Sequence, residues 1–226
     1  MAQQAVLAGR RALVTGGNEG FGRSLLEGLR AAGAHAAALP LPDPTQPGVR
    51  AAFDAAVAEL GGLDAVVHAH SDPELLAPRA LTDTPEDAWV ACCEAPLECA
   101  IFVLQASYTH LRARGGRIVL VTPTVSTAGA AGLVGVSAAI EAIRVLGKTA
   151  AKQWGRFGIT VNSLAPGLDA IAEGREVPRV SLGEPPLPDF DPKRDVGPIV
   201  SFLASEASGS LTGATLRVDG GCWTPG

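Results

Sequence analysis

The sequence holds one tyrosine, one methionine and aromatic residues at only 4%, and its charged residues reach only 18%. With hydrophobic residues at 47%, so little charge excludes a disordered chain and implies a packed globule. No surplus of positive charge exists: the formal net charge is −5, which excludes the basic footprint of a nucleic-acid surface. No metal-ligand spacing exists either, because Cys92, Cys93, Cys99 and Cys222 form no pattern that a histidine pair completes. They read as small buried hydrophobes in a reducing compartment. Long apolar runs are missing, each candidate being interrupted by Gly, Arg or Lys. The first residues, Met1 to Gln4, lack the charged and apolar regions of a secretion signal, so a cytoplasmic protein is the expectation. No internal repeat or second domain is visible, and 226 residues suit one α/β domain spanning 1–226.

What is present alternates between strand and helix. Arg11 to Thr15 is a short apolar strand that runs into Gly16-Gly17-Asn18-Glu19-Gly20-Phe21-Gly22, and an amphipathic helix with Leu25, Leu26 and Leu29 follows. Strand, glycine turn and helix together form a phosphate-cradling unit, in which glycines let the backbone approach a pyrophosphate at a helix N-terminus. The same glycines also serve close packing of helix on strand, so Gly16, Gly20, Phe21 and Gly22 are candidate dinucleotide contacts that could equally be vestigial. A second strand, 34–41, ends in Leu39-Pro40-Leu41 where such sheets carry an acidic residue for the adenosine ribose. A helix over 49–60 and a strand over 63–69 come next, leaving the region between the second and third strands shortened. NAD(H) remains admissible, and Glu19 inside the glycine loop disfavours the extra phosphate of NADP(H).

His68-Ala69-His70-Ser71-Asp72 then stands at a strand's carboxyl edge, where ligands bind in these sheets and where an imidazole could act as a base. Thr84 to Asp87 carries helix-start features, and Pro96 is expected to bend or restart that helix before 97–111, which contains Tyr108. Arg117 to Val121 reads as a buried parallel strand. Past the turn Thr122 to Thr127, a helix runs over 134–154 with Glu141, Arg144, Lys148 and Lys152 on one polar stripe. Its two apolar stripes, Ala139, Ile143, Leu146, Ala150 and Val136, Ile140, Gly147, Ala151, require burial on more than one side. Ile159 to Asn162 is the next strand, 168–192 a Pro-rich lid, 195–204 a helix and 214–218 a final strand.

This pattern resembles the short-chain dehydrogenase/reductase family, near the β-ketoacyl-carrier-protein reductase type. The matching stretches are Thr15-Gly16-x-x-x-Gly20-Phe21-Gly22, Leu63 to Val67, Gly116 to Val119, Gly158 to Asn162 with Ala165-Pro166-Gly167, Phe202 to Ser205, Leu211 to Gly213 and Val218 to Gly221. The resemblance implies an α/β Rossmann-type doubly wound parallel sheet of about six to seven strands, and often a tetramer built on two long helices. It also implies a catalytic serine, tyrosine and lysine, whose places fall on Pro123, Val136 and Ile140; no Tyr or Lys occurs anywhere in 123–144. A phenol with an unperturbed pKa of about 10 needs a nearby cation to donate a proton at neutral pH, and valine and isoleucine supply neither.

These losses imply a catalytically impaired subunit, structural or regulatory, that associates with itself or with an active relative through the helices at 97–111 and 134–154. Two alternatives keep the pocket at work. One is isomerase, dehydratase or cyclase chemistry on an acyl or polyketide-like substrate, using His68, His70, Thr122 or Thr124. The other is an NAD(H)-dependent oxidoreductase of this family with an atypical proton donor.

Overall fold

The computed structural model describes residues 5–41, 43–69, 76–172 and 185–224. Six strands, β1 (Arg11–Thr15), β2 (His35–Leu39), β3 (Ala65–His68), β4 (Gly116–Val121), β5 (Ile159–Pro166) and β6 (Thr215–Val218), form one sheet. All its pairs are parallel, in the order β2-β1-β3-β4-β5-β6. Parallel strands need crossovers, and helices supply them on both faces. On one face α1 (Gly20–Ala31), α7 (Leu168–Ala172) and α8 (Pro192–Ala204) cover a core built on Val14, Leu25, Val67, Val119 and Leu203. On the other, α2 (Gln46–Leu60), α4 (Ala95–Leu111) and α6 (Val134–Trp154) cover Leu13, Phe53, Val66, Leu120 and Val161.

Among the described residues only β2 lies beyond β1, so the expected shortening is realised as a single strand on that side. The helix after β2 starts earlier than its apolar pattern suggests. Thr45 caps it by accepting from Gly48 N, Pro47 sits in its first turn, and Asp43 accepts from Thr45 N at 3.2 Å. At the N-terminal edge Arg11 binds both carboxylate oxygens of Asp64, tying β1 to β3. Burial alone would raise the Asp64 pKa, but the bonds from Arg11 outweigh it and hold the carboxyl below its usual range.

Two local expectations change at Thr84 and Pro96. Thr84 does not cap; its hydroxyl donates to Ala80 O, and Pro85 occupies the cap position of α3 (Glu86–Trp89). Pro96 does not break the helix. Lacking an N–H, it is accommodated by a π-helical stretch, Val90–Glu94, in which Ala95 N bonds Val90 O. Glu86 to Leu111 therefore becomes one continuous helix, long and apolar enough by composition to cross a bilayer. Cys99, Val103 and Leu104 bury one face of it in the core beside α2 and α6. Tyr108, near its end, stacks on Trp154 at 5.1 Å and meets Phe157 edge-on, so the only tyrosine is a packing residue.

The backbones of α1 and α8 come into direct contact at Gly28 and Gly197. A side chain begun at Gly28 would put its Cβ 2.5 Å from the Cα of Gly197, and Ser201 Oγ donates to Gly28 O at 3.2 Å. Gly28→Ala should therefore cost about 1–3 kcal/mol through overpacking. Gly155 has nothing within 4 Å of the same atom, so Gly155→Ala should be neutral or stabilise by about 0.4–1 kcal/mol. Urea denaturation of both variants checks this; equal midpoints would remove the contact from the account.

Candidate functional site

The strand order reverses at β1, whose neighbours are β2 and β3, and open α/β sheets bind ligands at the carboxyl edge of such a switch point. The glycine loop leaves β1 there. Gly16 (φ 69°) and Gly20 (φ 53°) take left-handed conformations. A Cβ on Gly22 would lie 1.9 Å from Gly16 O, so α1 can seat its first turn on the loop only because glycine stands at that position. The helix has no acidic residue in its first turn, and Glu19 at its cap makes no side-chain bond to it. Its leading amides thus lack intrahelical acceptors and present a positive end. Arg23 folds back and donates to Asn18 O at 3.0 Å through Nε, bracing the loop from below. A pyrophosphate fits this cradle. Of the candidates, Gly16, Gly20 and Gly22 have only backbone to offer a ligand, and the Phe21 side chain is buried in the core, leaving only its amide.

At the same edge β3 ends in His68, buried at 4%, whose Nδ1 is hydrogen-bonded to Thr15 Oγ1 at 2.7 Å. That pairing ties the ends of β1 and β3 together and commits Nδ1 of His68 to Thr15. His70 lies outside the described residues. Beyond β4, Thr124 is also committed, its amide and hydroxyl both donating to Pro166 O at 2.8 and 3.3 Å. Thr122 differs. It is 1% exposed, its amide bonds Leu164 O, and its hydroxyl has no partner among the described residues. Register pairs Thr15 with His68 and His68 with Leu120, so alternation puts Thr122 on their face of the sheet.

Pro123 is buried in the turn, and α5 (Val125–Ala128) follows it. Val136 and Ile140 join an apolar cluster with Ala69, Leu76, Val125 and Leu168. This dry wall stands at the carboxyl edge, while Tyr108, Trp154 and Phe157 gather at the opposite one. A polar group stands beside that wall: Ser126 Oγ donates to Glu141 Oε1 at 2.8 Å, and Arg144 binds the same carboxylate. Arg144 above all, with help from Ser126, holds Glu141 below the usual carboxylate range although burial opposes it. Nothing in the linear spacing of residues 126 and 141 advertises that contact. Burial first of all pushes the thiols of Cys92, Cys93, Cys99 and Cys222 up, in keeping with inert cysteines, and no metal-binding group occurs among the described residues.

Residues 1–222 match the family described as Enoyl-(Acyl carrier protein) reductase. The chain is 31% identical to the (3R)-3-hydroxyacyl-CoA dehydrogenase of Canis lupus familiaris, covering 99% of this chain and 100% of that one. That alignment extends over 258 residues against 226 here, so the relative holds segments this chain lacks. It is 27% identical to a 3-oxoacyl-(acyl-carrier-protein) reductase of Staphylococcus aureus, over 95% of this chain and 98% of the relative. Among solved structures, a gluconate 5-dehydrogenase from Burkholderia cenocepacia J2315, in complex with NADP and tartrate, superposes with a TM-score of 0.84 at 27% identity, covering 97% of each chain. All three carry the names of redox enzymes, and this overturns the expectation of a catalytically impaired subunit: the likeness runs to active oxidoreductases along the whole chain. From its parallel Rossmann sheet, its glycine cradle and these matches, the chain belongs to the short-chain dehydrogenase/reductase family.

Proposed function

We propose that this protein is a nicotinamide-dependent oxidoreductase acting at the carbonyl or hydroxyl carbon of an acyl-type substrate, with a hydroxyl other than the family's tyrosine facing the substrate oxygen. The observation that carries the reading is the approach of Gly22 to Gly16 O, which places bare amides where a pyrophosphate binds. Names of two relatives, a hydroxyacyl-CoA dehydrogenase and an oxoacyl-carrier reductase, support an acyl substrate. Either dinucleotide is admitted. Glu19 is exposed, and the gluconate 5-dehydrogenase holds NADP, so the expectation that Glu19 disfavours the phosphorylated cofactor is withdrawn.

The bound dinucleotide would supply or accept the hydride. The amides of Gly20, Phe21 and Gly22 hold its phosphates, and Val136 and Ile140 keep water from the reacting carbon. Counting back from Ile159, the family's tyrosine and lysine fall on those two residues and its serine on Pro123, so the substrate oxygen must find another donor. Thr122 fits. A buried hydroxyl left unpaired costs about 1–3 kcal/mol, and a substrate oxygen would relieve that cost. Ser137 also carries an unpaired buried hydroxyl, but it stands on α6, one turn before Glu141, and not on the sheet face that carries Thr15 and His68. In this reading Thr122 Oγ1 keeps its proton and hydrogen-bonds the developing oxyanion, and the alkoxide takes its proton from water as the product leaves the site. Self-association belongs to the same proposal: Val90 and Val145 lie exposed on the long helices, at 42% and 53%.

Isothermal titration with NADH and with NADPH tests the cradle. Saturable binding of at least one is expected, and Gly22→Val should abolish it; silence with both dinucleotides would end the reading. Thr122→Val tests the donor. With a 3-oxoacyl thioester substrate, kcat should fall about 100-fold, the scale of one lost oxyanion donor. Dinucleotide affinity should stay unchanged and the melting temperature should not fall, since an unsatisfied hydroxyl is removed. Unchanged turnover would strip Thr122 of this role.

A further inference from the structure

A second polar recess lies at the opposite, N-terminal edge of the sheet, with a volume of about 470 Å³. It is bordered by Arg10 just before β1, Arg114 and Arg117 around the start of β4, and Glu206 after α8. Gly115 and Gly158, both left-handed, bring two turns together there, and a Cβ on Gly115 would stand 2.8 Å from Gly158 O. Asp64 also borders the recess, but its carboxylate is taken by Arg11. Three guanidiniums therefore share one carboxylate, in a chain whose net charge is −5.

Part of this charge has a structural use. Arg117 Nε donates to Ser205 O at 3.0 Å and Arg10 Nη2 reaches Ala204 O at 3.4 Å, so both neutralise the negative end of α8. That use leaves a remainder. Arg10 Nε is buried with no partner, and Arg10 Nη1 meets Glu206 only at 3.5 Å, where the carboxylate is 87% exposed. Arg114 is exposed, and its guanidinium makes no hydrogen bond or ion pair among the described residues. Burial, and next the charge of Arg10, push the Arg117 pKa down, and the charge of Glu206 opposes them only in part. Guanidiniums present planar forks that match the oxygens of a phosphate, and charge-assisted bonds to a dianion would occupy the donors left over.

We infer that the recess formed by Arg10, Arg114 and Arg117 is an anion site for a phosphate group, separate from the dinucleotide cradle. Strands of five and six residues lie between the two edges, so roughly 17–20 Å separates them and both sites can fill at once. The phosphate could be free or carried on a nucleotide.

Titration calorimetry of the full chain, at constant ionic strength in chloride, with inorganic phosphate and with AMP, tests the site. Saturation at about 1 mM or tighter is expected for at least one. Tighter binding of AMP would identify a nucleotide as the source, and equal affinity free phosphate. Arg114→Gln, which removes no contact of the fold, should weaken binding about tenfold, the loss of a hydrogen bond to a charged group. Arg50→Gln, on exposed α2, should leave it unchanged, and saturating NADH should not displace phosphate. No binding of either probe, equal binding by Arg114→Gln, or displacement by the dinucleotide would each overturn the inference.

Discussion

The structure depends on how closely the first turn of α1 lies against the loop that leaves β1. Gly22 sits where any side chain would collide with the carbonyl of Gly16, and that approach fixes the direction of α1 over the sheet. Everything downstream on that face follows. With α1 so placed, Gly28 comes against Gly197, α8 is drawn in, and the two helices close the core around Val14, Val196 and Leu203. The same approach sets the leading amides of α1, which have no intrahelical acceptors, at the switch point. Packing and binding thus rest on one backbone contact, which is why the glycines alone could not separate the two readings.

The carboxyl edge pairs that cradle with an unusual wall. Val136 and Ile140 are packed into an apolar cluster, and the polar groups nearest by are bound to one another: Thr15 with His68, Thr124 with Pro166, Ser126 with Glu141. An enzyme site built this way would work by exclusion of water and by one hydrogen-bond donor, where a charged pair would otherwise lower the pKa of a phenol. At the other edge the charge balance is reversed, with guanidiniums in surplus around the end of α8. The sheet therefore carries two electropositive features, one made of backbone dipoles and one of arginine side chains.

Much of the fold was legible because its signals are local. Continuous β-branched runs marked β4 and β5, and the two apolar stripes of α6 correctly required burial on two sides: Ile143 and Ala150 face one core, Ile140 the other. Features that depend on tertiary context were not legible. Pro96 reads as a break, yet a π-turn absorbs it; Thr84 reads as a cap, yet its hydroxyl turns to Ala80. His68 reads as a base because its strand edge is a ligand edge, but only the register with β1 shows that Thr15 takes its Nδ1. The site was read from missing residue types at Pro123, Val136 and Ile140, and from these a missing activity was inferred. Such an inference equates one proton donor with catalysis itself, whereas binding, orientation and electrostatic stabilisation each contribute independently.

Deuterium transfer tests the central claim most directly. The protein would be incubated with NADH or NADPH deuterated at the transferable position, together with a 3-oxoacyl thioester, and the product examined by mass spectrometry. An oxidoreductase built on this cradle delivers one deuterium to the former carbonyl carbon, at a rate well above the protein-free control. Recovery of unlabelled substrate with both cofactors, and with the protein shown to be folded, would contradict the account.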